Sequence, residues 1–107
     1  MSRTLNELAP LVAEVSDTYA SRNHIARDDD WYLLKLQEEL GELAAEYLKS
    51  TGRGRLKGAD PATIRTALED EAADVLAMLL LFARNNGIDL DAALERKWFK
   101  YLGRSAD

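Results

Sequence analysis

At 107 residues, 47% hydrophobic and 31% charged, the chain is sized and composed for one soluble globular domain with a single modest core. A net charge of -5 with no basic block argues against nucleic acid as the main partner, although local lysines, arginines or metal ions could still hold a polyanion. The absence of cysteine excludes disulfides, thiolate zinc sites and cysteine nucleophiles.

A cysteine-free chain suits a reducing cytoplasm, and no signal peptide is visible at the N-terminus. The longest apolar run, Val75 to Ala83, falls well short of the roughly 20 residues that cross a bilayer. A soluble, cytoplasmic protein without a membrane partner is therefore expected. Residues 4 to about 22 predict a first amphipathic helix with Leu5, Leu8, Val12, Val15 and Tyr19 on one stripe, and Thr4 to Glu7 fits a capping box. Pro10 lies too deep for that start to be comfortable: either the helix kinks there or its regular part begins near Ala9.

Asp28, Asp29 and Asp30 all offer caps for a second helix, running from about Asp30 to Lys49, with Leu33, Leu36, Leu40, Leu43 and Tyr47 on its buried side. Residues 52–59 then form a glycine-rich basic loop, read either as a solvated connector or as an arm that reaches phosphate. Asp60-Pro61 is a strong helix start, because the aspartate caps and the proline takes a position that needs no backbone donor. The third helix runs to about Asn85, with Gly87 as a left-handed stop.

From Ala72 to Ala83 the only polar residue is Asp74, and a helix apolar on every side must be buried all round. Four short helices cannot easily surround one of their own members, so a second chain is expected to cover it. Asp89 caps a fourth helix of about Leu90 to Leu102, with Leu94, Trp98 and Tyr101 or Leu102 facing inward. No strand-like alternation is present. The fold class is all-α: one domain, residues 1–107, a bundle of about four helices completed by oligomerisation as a dimer or tetramer.

The chemistry concentrates in two acidic stretches. Glu38, Glu39 and Glu42 fall within two turns of the second helix, and Asp70, Glu71 and Asp74 repeat the spacing on the third. Residues three or four apart share a helix face, so antiparallel packing of the two helices would converge four to six carboxylates. Unneutralised, they would repel one another and raise their own pKa values. Oxygen-only donors favour magnesium, manganese or calcium over zinc or copper. The single histidine, His24, lies outside both stretches, which disfavours a di-iron bundle, and no EF-hand loop is present. Either of two readings fits each stretch taken alone: a solvated face, or part of a magnesium site.

Glu38-Glu39-Leu40-Gly41-Glu42, then twenty-eight residues, then Glu71-Ala72-Ala73-Asp74, resembles the EExxE…ExxD signature of the MazG-like, all-α nucleoside triphosphate pyrophosphohydrolases. The likeness extends over residues 31–104 and takes in Asp74-Val75-Leu76, Gly87-Ile88-Asp89-Leu90 and Lys97. It implies Glu39, Glu42, Glu71 and Asp74 as magnesium ligands, with manganese as a substitute. Glu38 would be an accessory ligand or position the attacking water, so Glu38 and Glu39 stand as the catalytic candidates. Lys97 matches a family lysine expected to touch phosphate, and Arg104 falls where a basic residue often follows. Tyr101 stands where many relatives carry asparagine, which leaves the contacts of the last helix open. Base recognition varies across the family; Trp31, Asn23 and His24 are the candidates here.

The reaction implied is NTP plus water giving NMP and pyrophosphate, in nucleotide-pool housecleaning. Lys35 is a further phosphate candidate, against the plainer reading of an i,i+4 pair with Glu39, and Trp31 and Trp98 read first as packing residues. Two rivals make different predictions: a non-catalytic helical interaction protein, which needs no metal, and a metal-binding nucleotide sensor, which binds without releasing pyrophosphate.

Overall fold

Four polar side chains start four helices. Thr4, Asp28, Asp60 and Asp89 each accept a hydrogen bond from the backbone N–H three residues on, at 3.2, 2.8, 2.8 and 3.0 Å. In the computed structural model, which describes residues 2–103, they open α1 (Leu5–Asn23), α2 (Asp29–Ser50), α3 (Pro61–Asn85) and α4 (Leu90–Lys97). A 3-10 turn, Phe99–Tyr101, follows, and no strand occurs among the described residues. The capping box is complete, since the Thr4 N–H donates back to Glu7 at 3.0 Å. Helix α1 passes through Pro10 from a start at Leu5, which rules out a start near Ala9. Proline there leaves only the Asn6 carbonyl without its i+4 donor.

Helices α2 and α3 form an antiparallel hairpin, tied at its open end by the Asn85 amide donating to Asp29 at 3.2 Å. Helix α1 crosses the C-terminal half of α3, where Ala13 packs with Met78 and Leu81, and Val12, Trp31, Tyr32 and Leu36 close around them. Helix α4 packs on the start of α1: both Asp91 carboxylate oxygens accept from α1 backbone, Leu5 N at 3.2 Å and Asn6 N at 2.9 Å. The α1–α2 connection is latched by Arg27, which donates to Ser16 and Asp17, each at 2.8 Å. No described helix is long and apolar enough to cross a membrane.

Several expected buried faces are open in the single chain. On α2, Leu33, Leu40 and Tyr47 are exposed and Leu36 and Leu43 half-buried, because α3 packs against the carboxylate side of that helix instead. On α1, Val15 and Tyr19 are exposed, since contact with α3 is made through Ala13 and the neighbouring positions. Helix α3 is not buried all round; Leu76, Leu79 and Asp74 are exposed. The fourth helix stops at Lys97 rather than near Leu102, and Trp98 and Tyr101 stand 66% and 77% exposed instead of facing inward, with the Lys100 ammonium 5.1 Å over the Tyr101 ring.

Candidate metal centre

The antiparallel hairpin faces Glu39 and Glu42 of α2 toward Glu71 and Asp74 of α3, as i,i+3 spacing on each helix requires. Two overlapping groups result. One carboxylate oxygen from each of Glu38, Glu39 and Glu42 lies within 4.8 Å of the others, and the same holds for Glu39, Glu71 and Asp74. Glu39 belongs to both groups and is 9% exposed, the only buried charged residue among those described. Lys35 is the one cation paired with the cluster among the described residues, 3.1 Å from Glu38 and 3.9 Å from Glu39.

One lysine does not satisfy these acids. Glu39 Oε2 and Glu71 Oε2 are buried with no hydrogen-bond partner. Burial, and then the negative charges of Glu42, Glu71 and Asp74, push the Glu39 carboxyl up to about 7, and burial raises Glu71 in the same direction. Two carboxylates can bond to one another only by sharing a proton, whereas a divalent cation would satisfy both orphaned oxygens at once. The acidic residues therefore cluster so that they could hold a metal ion, and an all-oxygen donor set of this kind fits a hard divalent cation.

Beside the carboxylates lies a cavity of about 660 Å³ between α1, α3 and the start of α2. Leu11, Val15, Tyr19, Trp31 and Met78 give it an apolar lining, and Lys35 and Asp74 stand at its polar edge. Asp74 is thus not sunk among alanine and leucine, as the sequence suggests, but exposed between the cluster and this groove.

Residues 7–107 match the family model of the MazG nucleotide pyrophosphohydrolase domain. The chain is a member of the MazG family. No curated protein and no solved structure matches it.

Within this MazG domain the other candidates are dispersed. Trp31 is half-buried, edge-on to Tyr32 at 5.2 Å, and lines the cavity. Asn23 uses its amide on the Tyr19 carbonyl at 2.9 Å, and His24 ends α1 in a left-handed conformation, φ 55, so both serve the helix terminus. Lys97 is exposed at the end of α4 and pairs with none of the carboxylates; Arg104 lies outside the described residues. The basic loop folds back on the end of α2, with Arg53 over the Tyr47 ring at 5.9 Å and its N–H donating to Leu48 at 2.8 Å. Ser50 lies eleven positions beyond Glu39 on the helix, roughly 16 Å along the axis, so the loop does not reach the carboxylates of its own chain. The cavity lining from α1 and α3 was missed, because Val15, Tyr19 and Met78 carry only a core-like signal in the sequence.

Proposed function

We propose that this MazG domain hydrolyses a nucleoside triphosphate, NTP or dNTP, to NMP and pyrophosphate, with magnesium, or manganese in its place, held by Glu39, Glu42, Glu71 and Asp74. The observation that carries the reading is the pair of buried carboxylate oxygens, Glu39 Oε2 and Glu71 Oε2, left without partners in the middle of a cluster of acids. When bound, the metal supplies neutralisation of phosphate charge and a lower pKa for water. Glu38, exposed at the edge of the cluster, accepts the proton of the attacking water, with Glu39 the alternative base. The water oxygen bonds to the α-phosphorus as the bond to the bridging oxygen breaks, and pyrophosphate leaves in line.

Lys35, at the polar edge of the cavity, faces the phosphates, and the apolar cavity seats the nucleoside against Trp31. Lys97 and Arg104 are assigned as phosphate contacts on the family pattern alone. The reading includes one domain over the whole chain, a role in cytoplasmic nucleotide housecleaning, and a homo-oligomer that covers the exposed Leu76 and Leu79 of α3. Incubation with a panel of canonical, deoxy and modified NTPs plus magnesium, with pyrophosphate measured, tests it. Release is expected for at least one substrate and is expected to fall at least 100-fold in Asp74→Asn, on the order of magnitude that loss of charge stabilisation causes. Nucleotide binding without release would overturn hydrolysis in favour of a sensor.

A further inference from the structure

The cavity between α1, α3 and the start of α2 has a direction. Asp74 and Lys35 mark one end, beside the carboxylates, and Trp31 and Leu81 mark the other. Asp74 and Leu81 are seven positions apart on α3, roughly 10 Å along its axis, about the reach of one nucleoside from its α-phosphate to the far edge of its base. Trp31 stands one turn before Lys35 on the antiparallel α2, so both helices give the same order. Ser16 of α1 belongs to the Leu81 end, because Ala13, one turn earlier on that helix, packs with Leu81.

The bonding of Ser16 is already half decided. Arg27 Nη1 donates to Ser16 Oγ at 2.8 Å. A guanidinium has donors only, so the serine oxygen is the acceptor there and its proton is left for another partner. No acceptor among the described residues takes that proton, whereas Thr18, two positions on, gives its own to the Glu14 carbonyl at 3.0 Å. Accepting from a cation also makes the hydroxyl a stronger donor. The neighbouring Trp31 indole N–H can only donate, and Tyr19, whose hydroxyl can do either, is 63% exposed. The inner end of the cavity therefore offers hydrogens, and the Asp74 carboxylate lies at the opposite end.

We propose that Ser16 selects the base: the site takes nucleotides whose base carries a carbonyl, rather than an amino group, at the ring position farthest from the sugar. Uracil, thymine, guanine and hypoxanthine present an oxygen there, and cytosine and adenine present an amino donor. A carbonyl accepts the Ser16 proton. An amino group has to share the serine oxygen with the Arg27 cation, which repels a second donor, and it leaves the hydroxyl proton unpaired in an apolar cavity. Ser16 is thus the residue that reads the base and Arg27 the residue that positions it. The inference rests on the cavity as the seat of the nucleoside, the reading proposed above, but not on hydrolysis.

Nucleotide pairs matched at that position test it: UTP against CTP and ITP against ATP, each with magnesium, read as kcat/KM for pyrophosphate release. The corresponding monophosphates with magnesium, read as Kd by calorimetry, report the base without any turnover. The carbonyl member of each pair is expected to be preferred roughly 5- to 100-fold in both measurements, the scale of an unpaired polar group. Ser16→Ala should bring each ratio to within about threefold of unity with helical circular dichroism unchanged, and Ser16→Thr, which keeps a hydroxyl, should retain the preference. Arg27→Met should lower the ratio as well, whereas a purely structural latch would lower both members of a pair alike. Equal use of both members by wild type, an amino preference, or a ratio unchanged in Ser16→Ala overturns the selection and leaves hydrolysis standing. Ser16-dependent selection among the monophosphates, with no release from any triphosphate, overturns hydrolysis and leaves the selection standing. Failure of every monophosphate to bind overturns the selection.

Discussion

Glu39 has a buried carboxylate oxygen with no donor and four acidic neighbours, Glu38, Glu42, Glu71 and Asp74, within the two groups it joins. In the metal-free chain that arrangement opposes folding, because removing a carboxylate from water is costly and Lys35, 3.9 Å away, offsets only part of the cost. Replacing the acid by its amide keeps the shape, removes the charge and supplies a donor. Glu39→Gln is therefore expected to stabilise the metal-free protein at pH 7.5 by roughly 1–3 kcal/mol, the scale of an unsatisfied buried polar group, while abolishing stabilisation by magnesium and pyrophosphate release. Denaturant melts with and without magnesium check it; a variant as responsive to the metal as wild type would remove Glu39 from the ligand set. Glu38→Gln makes the contrasting case. Its carboxylate is exposed, so stability should change by no more than about 0.5 kcal/mol, and only turnover should fall.

Among the elements, α1 packs on α3 through Ala13 and is fastened besides by polar clasps at its start and past its middle. Asp91 of α4 accepts from the Leu5 and Asn6 backbone, and Arg27 grips Ser16 and Asp17 from the connection to α2. Asp91→Ala is expected to lower stability by about 1–2 kcal/mol, as loss of a helix cap does, and amide exchange of the first turn of α1 should quicken while α2 and α3 stay protected. Unchanged exchange in that turn would show that α4 does not hold α1. These clasps were not legible in the sequence, because they join residues more than eighty positions apart or turn on the path of a loop. The caps themselves were legible: Thr4, Asp60 and Asp89 act within one helical turn, where spacing dictates contact. So was the convergence of Glu39 and Glu42 with Glu71 and Asp74, which needs only two antiparallel helices. What periodicity could not say was which side of α2 faces inward. Leu33, Leu40 and Tyr47 mark an apolar stripe, but α3 took the acidic one, and the cavity beside it depends on how α1 lies across α3, which no local pattern encodes.

For the whole molecule, the site and the helix caps pull the pH dependence in opposite directions. Glu39 titrates near 4.5 when unfolded and at about 7 when folded, so between those values the native chain holds a proton that the unfolded chain has released. Stability from this group is present below about 4.5 and is lost as pH rises through about 7. A shift of this size corresponds to roughly 3 kcal/mol, and Glu71, raised for the same reason, adds to it. Glu7, Asp60 and Asp89 behave oppositely, since hydrogen bonds from Thr4, Thr63 and Ala92 at the helix starts hold their carboxyls low; what they contribute is lost only as pH falls below about 4. In a chelator the protein is therefore expected to be most stable near pH 5, with its melting temperature falling by roughly 10 °C by pH 7.5. Magnesium at a hundred times its Kd returns about 2.7 kcal/mol, and more so at the higher pH, where Glu39 is ionised and free to bind it. Thermal melts from pH 4.5 to 8 at one protein concentration, in chelator and in magnesium, give the two curves. They should converge near pH 5 and separate as pH rises. A melting temperature that climbs from pH 5 to 7.5 in chelator would mean that the carboxylates do not share a buried site, and the proposed metal chemistry would lose its physical basis.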